Sequence, residues 1–176
     1  MQQFRRLLAA LDLSSMDKDI LRFLGANAAS LGVEKAYFLH IMPDFSTPKN
    51  MDVEFQKLFA PEYPIDEKVR DKLSLDAEEI LGEDTFSYDI EVIEGKPYEK
   101  LLRWVKVKEI SLLVVGKKAF SEGSGITAKR VARNAGCNVL ILPTGADASF
   151  RRIVVPLDFS ANSVKAMESA LSLTRH

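Results

Sequence analysis

The stretch RRLLAALDLSSMD, Arg5 to Asp17, holds the transition that decides the fold. Leu7 to Leu11 is apolar on both alternating sets, the pattern of a strand covered on both faces, as in a parallel sheet. Asp12 marks its carboxyl end, and Ser14 or Ser15 can cap a helix beginning there. From that point Ile20, Leu21, Leu24, Ala28 and Leu31 recur at helical spacing until Gly32 supplies a stop. A strand passing into a helix is the unit from which parallel α/β sheets are built.

The same alternation continues outward. VEKAYFLHIM, Val33 to Met42, reads as a second strand; after a Pro-containing irregular stretch, Val69, Leu73, Ala77 and Ile80 mark a helix ended by Gly82. TFSYDIEVIEG alternates strictly, with Phe86, Tyr88, Ile90 and Val92 on one side and Ser87, Asp89 and Glu91 on the other, which predicts an edge strand with one wetter face. Pro97 suits the first turn of a helix carrying Tyr98, Leu101, Leu102 and Val105. SLLVVG then forms a doubly buried strand ending at Gly116, KKAFSEGSG leads to a helix over about Ile126 to Ala135, and Asn138 to Pro143 is a fifth strand. Five strands and four helices over residues 5–143 predict a doubly wound parallel α/β layer with helices on both faces.

The opening stretch then returns. RRIVVPLDFSANS, Arg151 to Ser163, again has two arginines, an apolar run, Leu157-Asp158 and a serine, Ser160, two residues past the Asp. The division expected is a complete domain over 1–145, a linker over 146–150, and at 151–176 the first strand and helix of a truncated second repeat. The repeat is expected to have a strand at Ile153 to Leu157 and a helix turning Val164, Met167, Ala170 and Leu171 inward. Since such a fragment cannot cover its own apolar surface, docking on the complete domain or on a neighbouring chain is expected.

The chain has 176 residues, 47% of them hydrophobic and 28% charged, with a net charge of −1. That balance gives no reason to expect nucleic acid or an anionic membrane as a partner. The single cysteine, Cys137, excludes a disulfide framework and a four-ligand zinc site. The apolar core of MQQFRRLLAALDL is cut by Asp12, short of what a signal peptide needs, and no run suits a membrane span, so a cytoplasmic location is expected.

GKPYEKLLRWVKVKEISLLVVGKK followed by GSGITAKRVARNAGCNVLILP, set beside the Leu-Asp-x-Ser start, resembles the universal stress protein family, and more narrowly its tandem-domain members. The resemblance implies a strand order of 3-2-1-4-5, an adenine-nucleotide pocket in some members, and dimers joined through the fifth strand. Ligands of open parallel sheets sit beyond the carboxyl ends of the strands where the winding reverses, which in that order is the crevice between strands 1 and 4. Asp12 and Gly116 end those strands.

In nucleotide-binding relatives a glycine-spaced loop after strand 4 lets backbone N–H groups approach phosphate at a helix start. Here Gly116 is kept, Ala119 stands where the second glycine belongs, and the loop is shorter. Two registers are open: Gly125 followed by Ile126 and Thr127, or Gly123-Ser124. Asp12 reads as a ribose or metal-phosphate contact or as a cap of its own turn. The resemblance places Ile41 where relatives contact adenine through backbone atoms. Lys117 and Lys118 read as neutralising a phosphate or as a solvated face, His40 as a hydrogen-bonded structural histidine, and Cys137 as a small packed side chain. No nucleophile, base and acid set emerges, so at most slow ATP hydrolysis is expected.

The function expected is a stress-response sensor holding ATP or another adenine nucleotide, with magnesium as the nucleotide's companion ion. The phosphate end should be weaker than the adenosine end. The alternative is a module of the same fold, with a degenerate pocket, that works by dimerisation and protein contact. Pairing through residues 138–143, between two chains or two domains, is expected in either case because that strand is an apolar edge.

Overall fold

The alternation of strand and helix appears in the computed structural model, which describes residues 4–43, 65–82, 86–118, 126–146 and 152–173. The elements are β1 (Arg6–Leu11), α1 (Ser15–Leu31), β2 (Lys35–Met42), α2 (Ile65–Leu81), β3 (Ser87–Glu94), α3 (Pro97–Val107), β4 (Leu112–Lys117), α4 (Ile126–Asn134), β5 (Asn138–Pro143) and α5 (Ala161–Leu173). All pairings of the five-stranded sheet are parallel, and the order is β3-β2-β1-β4-β5.

β1 is central because it is apolar on both sides. Leu7, Ala9 and Leu11 enter the layer beneath α1 and α2 with Phe38 and Val114, whereas Leu8 enters the opposite layer with Leu39, Leu113, Leu101 and Val131. Leu7, Leu8 and Ala9 have no exposed surface. Each buried leucine contributes about 1.5–3 kcal/mol relative to an exposed one. β3 lies at the edge, as its alternation requires; Phe86, Tyr88 and Ile90 pack on the core, and Asp89 pairs outward with Lys35 at 2.7 Å.

Turn chemistry sets the ends of α1. The Ser14 side chain accepts from the Met16 amide, and Gly32 takes the left-handed conformation (φ 69°). There Gly32 N–H donates to Ala29 and Val33 N–H to Ala28, closing the helix with two bonds that only a left-handed residue allows. Pro97 opens α3 at the position where its missing N–H costs nothing.

The C-terminal segment departs from expectation in two respects. Helix α5 is present, but residues 152–158 join no sheet, and Val154 is 90% exposed. Val164, Met167 and Leu171 are exposed rather than turned inward, while Leu173 packs against the layer beneath α1. A helix closes its own hydrogen bonds, whereas a strand needs a neighbouring edge, and the segment pairs with none of the five strands of the sheet.

Candidate functional site

The carboxyl ends of β1 and β4 diverge, because the chain leaves β1 for α1 on one face of the sheet and leaves β4 for α4 on the other. Between them lies a cavity of about 240 Å³. Ala10, Leu39, Ile41 and Val115 form its floor, Pro97, Leu101 and Ala128 one wall, and Asp12, Met16, Asp17, Gly116 and Lys118 its rim.

The rim is built on the β1–α1 turn. Leu13 sits in the left-handed region (φ 63°), a costly conformation for a side chain of that size. Two carboxylates hold the turn. Asp12 Oδ1 accepts from the Ser14 amide at 3.2 Å and from the Ser14 hydroxyl. The two oxygens of Asp17 accept from the Asp12 amide at 2.9 Å and the Leu13 amide at 2.8 Å. Across the mouth, Lys118 Nζ lies 2.8 Å from Asp12 Oδ2.

These contacts give the two acids different character. Partial burial works to raise the Asp12 carboxyl, but hydrogen bonds from Lys118 and Ser14, with the lysine's charge, outweigh it and hold the group below the usual carboxylate range. Burial pushes Asp17 up to about 6, against the pull of its two amide hydrogen bonds; the charge of Asp12 adds to the rise and that of His40 opposes it. His40, on β2, is buried with Nδ1 2.9 Å from the Leu11 carbonyl, the structural role its sequence context indicates.

Among the residues singled out from sequence, Asp12, Ile41 and Gly116 come together around the cavity, joined by Lys118. Lys117 does not join them; it borders a separate hollow with Ala128, Lys129, Ile141 and Pro143. Thr127 belongs to the first turn of α4. Gly123, Ser124 and Gly125, and with them both readings of the phosphate loop, lie outside the described residues, as do Ala119 and Phe120.

Gly116 has a packing reason for being glycine. A Cβ built there would overlap Met16 Cγ and lie 3.3 Å from Met16 Sδ and 3.6 Å from Ile20 Cδ1, so the residue admits α1 against β4. Asp17 escaped the sequence reading. Its signal was present: an acid three residues after the capping serine is the capping-box spacing, although here the carboxylate accepts from the amides of Asp12 and Leu13 while the Ser14 amide goes to Asp12. Met16, Pro97 and Leu101 left no such signal, because an apolar lining residue looks like core. Among the described residues no group of three or more His, Cys, Asp or Glu could hold a metal ion, and no helix is long and apolar enough to cross a membrane.

Comparison with known proteins agrees with this fold. A search of curated proteins found no significant match. Among solved structures, the chain is similar to a universal stress protein from Lactobacillus plantarum, at 19% identity and a TM-score of 0.62, covering 81% of this chain and 99% of that one. It is similar to a universal stress protein in complex with cAMP, at 16% identity and a TM-score of 0.58, covering 81% and 99%. It is also similar to an Arabidopsis thaliana family member with AMP bound, at 16% identity and a TM-score of 0.50, covering 87% and 97%. The model of the universal stress protein family matches residues 3–143, and the chain belongs to that family.

Proposed function

We propose that the cavity at the carboxyl ends of β1 and β4 binds an adenine nucleotide, and that the chain acts as a stress-response sensor through that ligand. The observation that carries the reading is the lining itself. A floor and wall of Ala10, Leu39, Ile41, Pro97, Leu101 and Val115 suit a flat apolar base, and one end carries a carboxylate and an ammonium, Asp12 and Lys118. Asp12, held ionised, accepts hydrogen bonds from ribose hydroxyls, and Lys118 meets a single phosphate. Family members of the same fold with cAMP and with AMP bound add support.

Affinity is expected to reside in the adenosine end. Ala119 replaces a loop glycine and the loop is short, so the amide cradle for further phosphates is reduced. Calorimetric titration with ATP, ADP and AMP, with and without magnesium, is expected to show weak binding of similar strength for all three. ATP far tighter than AMP would contradict the weak phosphate end. Silence from all three at millimolar ligand would remove the nucleotide and favour a protein-interaction module.

Pairing across the open edge of β5, where Ile141 is 36% exposed, belongs to the same proposal. Light scattering is expected to give a dimer for the parent chain and a monomer for Ile141→Lys; a parent that stays monomeric would contradict it.

A further inference from the structure

Among the described residues Asp17 is the only buried carboxylate, 3% exposed, and it lies on the rim of the cavity. Its oxygens are committed to the amides of Asp12 and Leu13 and not to a cation. The repeated segment shows that such a turn closes without it. Phe159 takes the place of Leu13 with φ 61°, and Ser160 N–H donates to Asp158 Oδ1 at 2.9 Å. Ser163 stands at the position of Asp17, its amide bonding Ser160 Oγ at 3.2 Å and its hydroxyl the Ser160 carbonyl at 3.0 Å. A serine therefore suffices for the turn and its helix start. What the carboxylate adds is a grip on the amide of Asp12, the residue that faces the ligand.

We propose that Asp17 is a positioning residue that makes the ligand site respond to pH: ionised it accepts both amides and fixes Asp12, and protonated it releases one of them. The proposal rests on reading the cavity as an adenine-nucleotide site. A carboxylic acid carries its proton on one oxygen, which becomes a donor and a much weaker acceptor, so one of the two amides loses its strong charged partner. The orphaned amide then competes with the left-handed strain of Leu13, and Asp12 loses its register against Lys118. Among the described residues two charged or titratable groups act on Asp17, Asp12 on the same turn and His40 from β2, and Lys118, just past β4, reaches it only through its pair with Asp12. Burial sets the response near neutrality, because it lifts the Asp17 carboxyl to about 6.

Adenosine is the probe, since it carries no phosphate whose own charge changes in the same range. Its affinity is measured by calorimetry from about pH 8 to about pH 5, while the amide shifts of Asp12 and Leu13 are followed in the unliganded protein. The parent chain, Asp17→Asn and Asp17→Ser are compared; both variants keep His40, so any response left in them belongs to other groups. In the parent chain the two amides are expected to shift together with a midpoint near 6. Adenosine should bind about threefold to tenfold more weakly at the acid end. In both variants the amide titration should vanish and the affinity stay at the weak level throughout. Amides that titrate alike in parent and variants, or an affinity in the parent that is flat or rises in acid, would overturn the proposal. Amides that titrate as expected while adenosine never binds would support the hold of Asp17 on Asp12 and overturn the nucleotide reading instead.

Discussion

The two Leu-Asp-x-Ser segments share two arginines, Leu-Asp and the following serine, and nearly the same turn, yet only one is part of a sheet. In both, the residue after the Asp is left-handed, at φ 63° for Leu13 and 61° for Phe159, and in both the Asp accepts from the amide two residues on. Helix α1 starts at Ser15 and α5 at Ala161, the same distance past the Asp. The strands differ completely. Leu8 pairs with Tyr37 and Leu113 and has no exposed surface; Val154, its counterpart, is 90% exposed. Turn and helix are written in local residues, whereas a strand is a property of its neighbours.

Core truncation breaks this comparison most sharply. Leu8→Ala is expected to lower unfolding free energy by about 2–5 kcal/mol, whereas Val154→Ala should stay within about 0.5 kcal/mol, both read from chemical denaturation. Equal losses would mean that the second segment is buried in solution.

The two turns also differ in charge, since Ser163 occupies the place of Asp17. The folded state holds the Asp17 proton with a pKa of about 6, above the usual carboxylate value, so the folded form gains protons first as pH falls. The contribution of this group to stability therefore grows as pH drops from about 7 to about 4, by on the order of 2–3 kcal/mol, and is lost again on raising pH through 6. Denaturation curves of Asp17→Asn at both ends of that range should lack this share of the pH dependence. A variant whose curve parallels the parent would contradict the burial of the carboxylate.

Close packing of α1 on β4 is the next difference, because Asn162 stands in the second segment where Met16 stands in the first. Gly116→Ala is expected to destabilise by about 1–3 kcal/mol through overlap with Met16. Met16→Ala should cost less in that background than in the parent, a coupling that a double-mutant cycle measures. Smallest is the cap. Ser14→Ala should cost about 1 kcal/mol of global stability, while Ser160→Ala should only speed amide exchange in the first turn of α5.

The same contrast explains what the sequence disclosed. Doubly apolar runs such as Leu7–Leu11 and Leu112–Val115 can be satisfied only inside a covered parallel sheet, so the architecture was legible, and β5 spans Asn138–Pro143 as its sequence indicates. The strand expected at Ile153–Leu157 failed because its apolar pattern says nothing about whether partners lie beside it. At the site, Asp12 and Gly116 were legible as strand ends. Which of Lys117 and Lys118 faces the cavity was not, because adjacent residues leaving a strand point to opposite faces and the choice depends on where the strand stops.

Addition of AMP to isotope-labelled protein, with the amides of both turns followed residue by residue, tests the assignment of the ligand to the first turn most directly. Progressive shifts are expected at Asp12, Leu13, Ile41, Gly116 and Lys118, with Asp158, Phe159 and Ser160 unmoved. Equal shifts at both turns, shifts confined to the β5 edge, or none at millimolar AMP would contradict the account.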